Sequence, residues 1–300
     1  MGAGPLTAAP VVLPEGPRVQ GRIRHLLTSP QGAQATAIVV FIGAWQLLTL
    51  VATRVPGPVE VVQFLYIEIT GGSHGGIVTG QFFEHFAVTL GHFSVGLFLG
   101  FTAGLLAGVL IGSFGIARAL LNDTVLVLLT MPAFVWAFLT TMWFGITWRA
   151  PVLTVAFTAF PFVAVNVAQG VRSITPELKN MSSAFDVSRW KQFRHLTLAA
   201  VTGYIFAGLR FAIIVGWNGI LLSEWFSGQS GVGFRTRYWF DANRYRGFVG
   251  WVIVFIVFIV VLDRLILNRL QARAFRWRDP IAVKSELSKS EFPNPDQVGA

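Results

Sequence analysis

The chain has 300 residues, of which 54% are hydrophobic and only 12% charged, and its mean hydropathy is +0.63. Soluble domains carry about 25% charged residues, so the composition excludes an ordinary soluble protein and indicates an integral membrane protein. The net charge of +9 is not gathered into a basic, aromatic-rich surface, which argues against a nucleic-acid partner, and the absence of cysteine excludes disulfides and thiolate chemistry.

Six apolar stretches reach or approach the length of about 20 residues that a helix needs to cross a bilayer. We predict an all-α integral membrane protein with six transmembrane helices, at about 35–53, 88–112, 122–144, 150–169, 203–224 and 248–267. The predicted domains are a cytoplasmic tail (1–34), a transmembrane domain (35–270) and a polar, disordered cytoplasmic tail (271–300). Residues 1–34 contain no apolar core, so we do not expect a cleavable signal peptide.

The positions of Lys and Arg set the orientation, because positive residues beside span ends are retained in the cytoplasm. They place both termini and the loop between spans four and five inside, through Arg18, Arg22, Arg24, Lys179, Arg189, Lys191, Arg194, Arg264, Arg269 and Arg273, among others. The loop between spans five and six disagrees, since it is rich in arginine and this topology places it outside. We keep six spans because the other loops agree.

Span two contains a glycine at every fourth residue: Gly96, Gly100, Gly104, Gly108 and Gly112. Small residues at this spacing allow close approach of a neighbouring helix. Each four-residue step turns about 400°, so the row winds slowly around its helix. We expect it to pack within one subunit rather than to form a dimer seam.

Two helix breaks predict a solute pathway through spans three to five. Met131-Pro132 and Pro161 remove helical hydrogen bonds, which is tolerated only where protein or water surrounds the backbone. We assign to the pathway Met131, Pro132, Trp136, Asn166, Trp217, Asn218 and Glu224. Solvation at the membrane edge is an equal alternative for Glu224, and anchoring at the lipid interface is the alternative for the tryptophans.

The longest polar interruption, TPELKNMSSAFDVSRWKQFRHLTLAA at 175–200, predicts two short helices. Thr175-Pro176-Glu177 has the residue types of a helix start. The sequence Asp186-Val187-Ser188 offers a second start where the apolar period shifts, so we expect a bend at Asp186. From the pattern alone, a helix lying on the membrane surface explains the segment at least as well.

The same segment resembles the cytoplasmic coupling loop of ABC importer permeases. The match includes Pro176, Glu177, Leu178, Ser188, Arg189, Trp190, Phe193 and Leu198. Elsewhere VPGPVEVVQFL, TMPAFVWAFLTTMWFGI and RAFRWR resemble the nitrate, sulfonate and taurine branch of that family. The sequence departs from the loop pattern at Asn180-Met181-Ser182, at Asp186 in place of Gly and at Ala199 in place of Pro. These departures predict a second, different permease subunit that carries the stricter motif.

The resemblance implies a permease subunit of an ATP-driven importer in the bacterial cytoplasmic membrane. Its solute would be small and polar or anionic, such as nitrate, a sulfonate, bicarbonate or a related organic acid. The implied partners are ABC ATPase subunits, a second permease subunit and a periplasmic or lipid-anchored solute-binding protein. The ATPase would be contacted by Glu177, Phe185, Asp186, Ser188, Arg189, Trp190 and Phe193, with the aromatic side chains as buried anchors.

No protein-only chemistry is predicted for this chain. It lacks the phosphate loop G-x-x-x-x-G-K-[ST], so ATP and Mg would be bound by the partner subunits. Its five histidines have no metal-binding spacing, and we expect no cofactor, metal site or catalytic residue. A stand-alone six-helix secondary carrier or channel remains the main alternative, and an intramembrane enzyme is weaker because it needs scattered residues such as His92 and Asp123 to converge.

The arginine-rich loop SGQSGVGFRTRYWFDANRYR at 227–246 predicts a docking surface for an acidic face of the binding protein. Arginine and aromatic side chains are enriched at binding hot spots, and we assign docking to Arg235, Arg237, Tyr238, Trp239 and Arg244. The alternatives are an electrostatic funnel for an anionic solute and contact of the arginines with lipid phosphates.

Overall fold

The computed structural model describes residues 30–52, 54–71, 73–74, 77–78, 81–192, 194, 197–267 and 269. The predicted N-terminal tail up to residue 29, the tail beyond residue 269 and Phe193 therefore lie outside the described residues. The chain divides into two compact units, Met1–Glu60 and Val61–Ala300.

The described elements are helical apart from one two-stranded antiparallel ribbon, which confirms the all-α prediction. In chain order they are α1 (Pro30–Val51), α2 (Pro58–Thr70), β1 (Ser73–His74), β2 (Ile77–Val78), α3 (Phe82–Ser113), α4 (Gly115–Thr130), α5 (Ala133–Phe144), α6 (Arg149–Arg172), α7 (Pro176–Ala184), α8 (Arg189–Gln192), α9 (Leu198–Ser227), α10 (Val232–Asp241) and α11 (Tyr245–Val261), followed by a π-helical turn, Leu262–Leu267.

In the first unit, α1 is an apolar helix whose 20-residue span has a mean hydropathy of 1.8. None of that span is buried within the chain, as expected for a helix whose side chains face lipid. The indole of Trp45 donates a hydrogen bond to the carbonyl oxygen of Pro56 at 3.0 Å. This bond ties α1 to the turn that precedes α2.

Among the described residues, five helices are long and apolar enough to cross a membrane, and six spans result if the bent pair α4–α5 counts as one. The count therefore agrees with the predicted six. The helices α3 and α9 contain 32 and 30 residues, so they are about 48 and 45 Å long at 1.5 Å per residue. Both exceed the hydrocarbon core of about 30 Å, and their ends extend beyond it.

The predicted break at Met131-Pro132 is confirmed, but the predicted break at Pro161 is wrong. Helix α4 ends at Thr130, α5 begins at Ala133, and the two are bent by 101°. Helix α6 instead runs through Pro161 without interruption. Pro161 is buried among neighbouring helices, and such surroundings support a helix that has lost one backbone hydrogen bond.

Helix α6 lies at the centre of the second unit, where it packs against α3, α4, α5 and α9. Beside it, an aromatic core surrounds Trp217 of α9, whose ring stacks on Phe255 at 4.5 Å and meets the edge of Phe93 at 5.1 Å. The Trp217 indole donates a hydrogen bond to the Phe255 carbonyl oxygen at 3.0 Å. The core thus fixes α9 against α3 and α11.

The glycine row of α3 is in contact with α6 along its whole length, so packing within the subunit is confirmed. A Cβ atom added at Gly96, Gly100, Gly104 or Gly108 would lie 2.4–2.7 Å from a carbonyl oxygen of α6. At Gly112 it would lie 2.5 Å from the Cβ of Val171. The two backbones approach so closely that only glycine fits between them.

We expect Gly104→Ala to destabilise the protein by about 1–3 kcal/mol, because overpacking forces α3 away from α6. Gly91→Ala in the same helix is the matched control, since a Cβ there meets no atom within 4 Å. That substitution should be neutral or stabilise by up to about 1 kcal/mol through helix propensity. Thermal unfolding of both variants in one detergent measures the difference, and equal melting temperatures would contradict the close packing.

Candidate functional site

The predicted pair of short helices is present, with the bend at Asp186. Helix α7 ends at Ala184, α8 begins at Arg189, and Asp186 has a φ of +50°. The backbone N–H of Val187 donates to the Ser182 carbonyl oxygen at 3.1 Å, the 6→1 bond of a Schellman helix end. That motif requires a left-handed residue, a conformation that aspartate tolerates better than most residues. Asp186 therefore occupies the position where the importer pattern has glycine.

The α7–α8 segment exposes its aromatic side chains. Phe185 is 76% exposed and Trp190 is 68% exposed, and Glu177, Asp186 and Ser188 are exposed as well. The Ser188 carbonyl oxygen accepts a hydrogen bond from the Gln192 backbone at 3.0 Å, so Ser188 closes the first turn of α8, which Arg189 begins. Of the predicted coupling residues, Phe193 lies outside the described ones. A large exposed aromatic surface at a helix turn is suited to bind a partner.

The predicted pathway residues are spread over three helices and the α4–α5 bend. Met131 and Pro132 form the bend, Asn166 and Asn218 each donate an amide N–H to a carbonyl oxygen one turn earlier in their own helix, and Trp136 and Trp217 are 5% and 1% exposed. The alternative that these two tryptophans anchor at the lipid interface is wrong, because protein encloses both. Their role in a pathway stays a prediction.

Glu224 is completely buried, so solvation at the membrane edge, the alternative from sequence, is wrong. The Thr89 hydroxyl lies 2.8 and 3.0 Å from the two carboxylate oxygens, and the Gly233 N–H donates to Oε2 at 3.0 Å. The Nδ1 atom of His92 lies 3.3 Å from Oε1. Each oxygen of this buried carboxylate therefore has at least one hydrogen-bond partner.

The loop between α9 and α10 packs directly against the Glu224 carboxylate. It has glycine at the position where a Cβ atom would overlap that carboxylate. Gly231 has a φ of +105°, and a Cβ there would lie 2.4 Å from the Glu224 carboxylate. Its N–H donates to Nδ1 of His85 at 3.1 Å, and the Val232 N–H donates to the Thr89 hydroxyl at 2.8 Å. The buried acid thus joins α3, α9 and the start of α10.

Two of the predicted docking residues are not on the surface. Arg235 is 5% exposed and forms an ion pair with the fully buried Glu68 at 2.9 Å, and Trp239 is 1% exposed. A buried guanidinium needs a charged partner, because an unpaired buried charge is strongly destabilising. The partner, Glu68, lies 167 residues away in sequence, so the pattern of the loop alone does not predict the pair. Arg237, Tyr238 and Arg244 remain exposed.

A cavity of about 330 Å³ lies beside the buried acid, at the end of α9 and the beginning of α6. Its lining residues are His92, Ile146, Thr147, Trp148, Pro151, Ser227, Gly228, Gln229 and Ser230. Since α7–α8 connects the end of α6 to the beginning of α9, the cavity and the α7–α8 segment lie at opposite ends of these antiparallel helices. The sequence pattern did not single out this cavity.

Comparison with known proteins places the chain among transport permeases. Residues 100–276 match the family model for the binding-protein-dependent transport system inner membrane component. The chain is 30% identical to the nitrate import permease protein NrtB of Leptolyngbya laminosa over 79% of this chain and 83% of that protein. It is 26% identical to a putative aliphatic sulfonates transport permease protein, SsuC, of Bacillus subtilis, over 80% and 85% of the two chains.

A solved structure gives the same result for the fold. An inward-facing structure of the MetNI methionine ABC transporter aligns with a TM-score of 0.52 at 15% identity, covering 71% of this chain and 98% of that chain. At this identity the likeness concerns the arrangement of helices alone. The arrangement of helices is therefore shared with a chain of that structure.

Proposed function

Because the chain belongs to the family of binding-protein-dependent transport system inner membrane components, we propose that it carries a small anionic or polar solute across the membrane, driven by separate ATPase subunits. The observation that carries this proposal is the exposed aromatic surface of α7–α8, with Phe185 and Trp190 at its centre. An ATP-driven transporter must convert nucleotide-driven motion into rigid-body motion of its helices. A short helix whose exposed aromatic side chain binds the ATPase subunit can transmit that motion.

The solute class rests on the relatives. The names of the two permease relatives above assign nitrate and aliphatic sulfonates, and a further relative, 27% identical, is named as a bicarbonate transport system permease protein. All three solutes are small anions or carry an anionic group. We propose a solute of that class, delivered by a solute-binding protein on the outer side. Arg237, Tyr238 and Arg244, which are exposed near the cavity end of α9, are the proposed contacts for that protein.

The remaining parts of the proposal concern assembly. ATP and Mg would be bound by the ATPase subunits, both termini would lie in the cytoplasm, and the chain would pair with a second permease subunit. The departures at Asn180, Met181 and Ser182 favour a different chain as that second subunit. A stand-alone secondary carrier is not favoured, because the family match covers residues 100–276 and a carrier has no need of an exposed cytoplasmic docking surface.

Co-purification tests this proposal. The tagged chain should retain ATPase subunits through detergent extraction, and the reconstituted complex should hydrolyse ATP faster when loaded binding protein is added. Nitrate, a sulfonate and bicarbonate, each tested with its binding protein, identify the solute. Recovery of the chain as a stable protein that takes up solute without an ATPase would instead favour the carrier.

A further inference from the structure

The cavity at the end of α9 has the composition of an anion site. Its lining contains no Asp or Glu, and it includes the imidazole of His92, the amide of Gln229 and the hydroxyl of Ser230. The hydroxyls of Ser227 and Thr147 already donate to the carbonyl oxygens of Ser223 and Phe144. For Gln229 and Ser230, no side-chain hydrogen bond is formed within the described part of the chain, so both are available as donors.

His92 connects this cavity to the buried carboxylate. Its ring lines the cavity, its side chain is 18% exposed, and its Nδ1 atom lies 3.3 Å from Oε1 of Glu224. The two nitrogens of an imidazole lie on different sides of the ring, and the partner of one nitrogen sets the protonation of the other. Glu224 therefore controls which group His92 offers to the cavity through Nε2.

A carboxylate beside Nδ1 favours the tautomer with hydrogen on Nδ1, in which Nε2 is an acceptor, whereas the imidazolium carries hydrogen on both nitrogens. An anion bound at the ring selects a form in which Nε2 is a donor, and the charge-assisted hydrogen bond from the imidazolium is the strongest one.

We infer that this cavity is a binding site for one small anion, held by His92, Gln229 and Ser230, on the route from the binding protein into the membrane. The inference deepens the proposed function and rests on it for the direction of transport. The volume of about 330 Å³ lies at the lower limit of ligand cavities, about 300 Å³, which suits a nitrate-sized or short sulfonate solute. Glu224 is a positioning residue here, since it acts through His92.

The test is equilibrium dialysis of the assembled transporter, without binding protein, against nitrate and separately against methanesulfonate, at constant ionic strength. The parent should bind about one anion per copy of this chain and should not bind urea, a neutral solute of similar size. His92→Gln should weaken anion binding by about tenfold or more, the effect of removing one hydrogen bond from a charged donor. Gln81→Ala, an exposed position near the start of the same helix, should bind as the parent does.

Gln229→Ala keeps the inference testable if His92→Gln fails to assemble, because Gln229 is exposed and forms no hydrogen bond with Glu224 in the described part of the chain. It should weaken anion binding about threefold to tenfold, the effect of removing one neutral hydrogen bond.

Anion binding that is equal in the parent and in these variants would overturn the site, as would binding of urea. A parent complex whose ATPase responds to loaded binding protein, yet which binds no anion in dialysis, would overturn the site and leave the proposed function standing. If anion binding depends on His92 but the purified chain retains no ATPase subunit, the anion site stands and the proposed function is overturned.

Discussion

Replacing Arg235 with glutamate should destabilise the protein by at least about 3–5 kcal/mol, the usual cost of breaking a buried ion pair. The substitution removes the guanidinium that lies 2.9 Å from the fully buried Glu68 and places a second carboxylate beside it. We expect a sharp loss of folded protein after detergent extraction, measured by size-exclusion chromatography and thermal unfolding. The variant is therefore unsuitable for testing contact with a binding protein.

Two controls separate this effect from a general intolerance of the region. Arg237→Glu changes an exposed arginine that pairs with exposed Asp241 at 3.3 Å, so its effect on folding should be below about 1 kcal/mol. If α10 contacts the binding protein, Arg237→Glu should lower the affinity for that protein in a salt-dependent manner. The double variant Glu68→Leu, Arg235→Met should fold better than either single variant, because an apolar pair has no unpaired charge. A parent-like melting temperature for Arg235→Glu would contradict the buried pair.

The second large effect is expected at the α7–α8 segment. If this segment binds the ATPase subunit as proposed, Trp190→Ala should weaken that binding by about 30-fold or more. An aromatic side chain that becomes buried in a partner commonly contributes about 2 kcal/mol or more to binding, and Trp190 is 68% exposed in the isolated chain. The measurement is the dissociation constant of the ATPase subunit for the permease in nanodiscs.

Lys191→Ala is the matched control, because Lys191 is the next residue in α8 and is also exposed. A charge at the rim of an interface contributes little to affinity, so this variant should lose less than about fivefold. Phe185→Ala should resemble Trp190→Ala. Small and equal effects of all three substitutions would place the segment on the lipid surface instead.

The sequence predicted those features that depend on local pattern. The spans follow from apolar length, and the bend at Asp186 follows from capping residues beside a shift of period, which the left-handed φ of +50° confirms. The glycine row predicted close packing because its spacing allows one backbone to approach another. In each case the residues that determine the structure are neighbours in the chain.

The errors at Arg235 and Glu224 concern partners that lie far apart in sequence. Arg235 looked like a surface arginine because its partner, Glu68, precedes it by 167 residues, and Glu224 looked solvated because Thr89 and His92 are 135 and 132 residues away. The pattern of α10 did not predict a helix, since it contains two arginines and an aspartate among aromatic residues. The burial of these charges depends on tertiary contacts, which periodicity does not report.

The seam between α3 and α6 has a mechanical consequence. From Gly96 to Gly112 each glycine of α3 faces backbone atoms or a short side chain of α6, so the contact along this seam has little freedom to rearrange through changes of rotamer. Densely packed contacts respond to force by moving together rather than by deforming. If a partner pushes on the α7–α8 segment, which follows the end of α6, then α3 should move together with α6 over a contact about 24 Å long. Relative motion between spans would then be accommodated outside this seam, and the 101° corner between α4 and α5 is a place where a membrane-crossing pair of helices is interrupted.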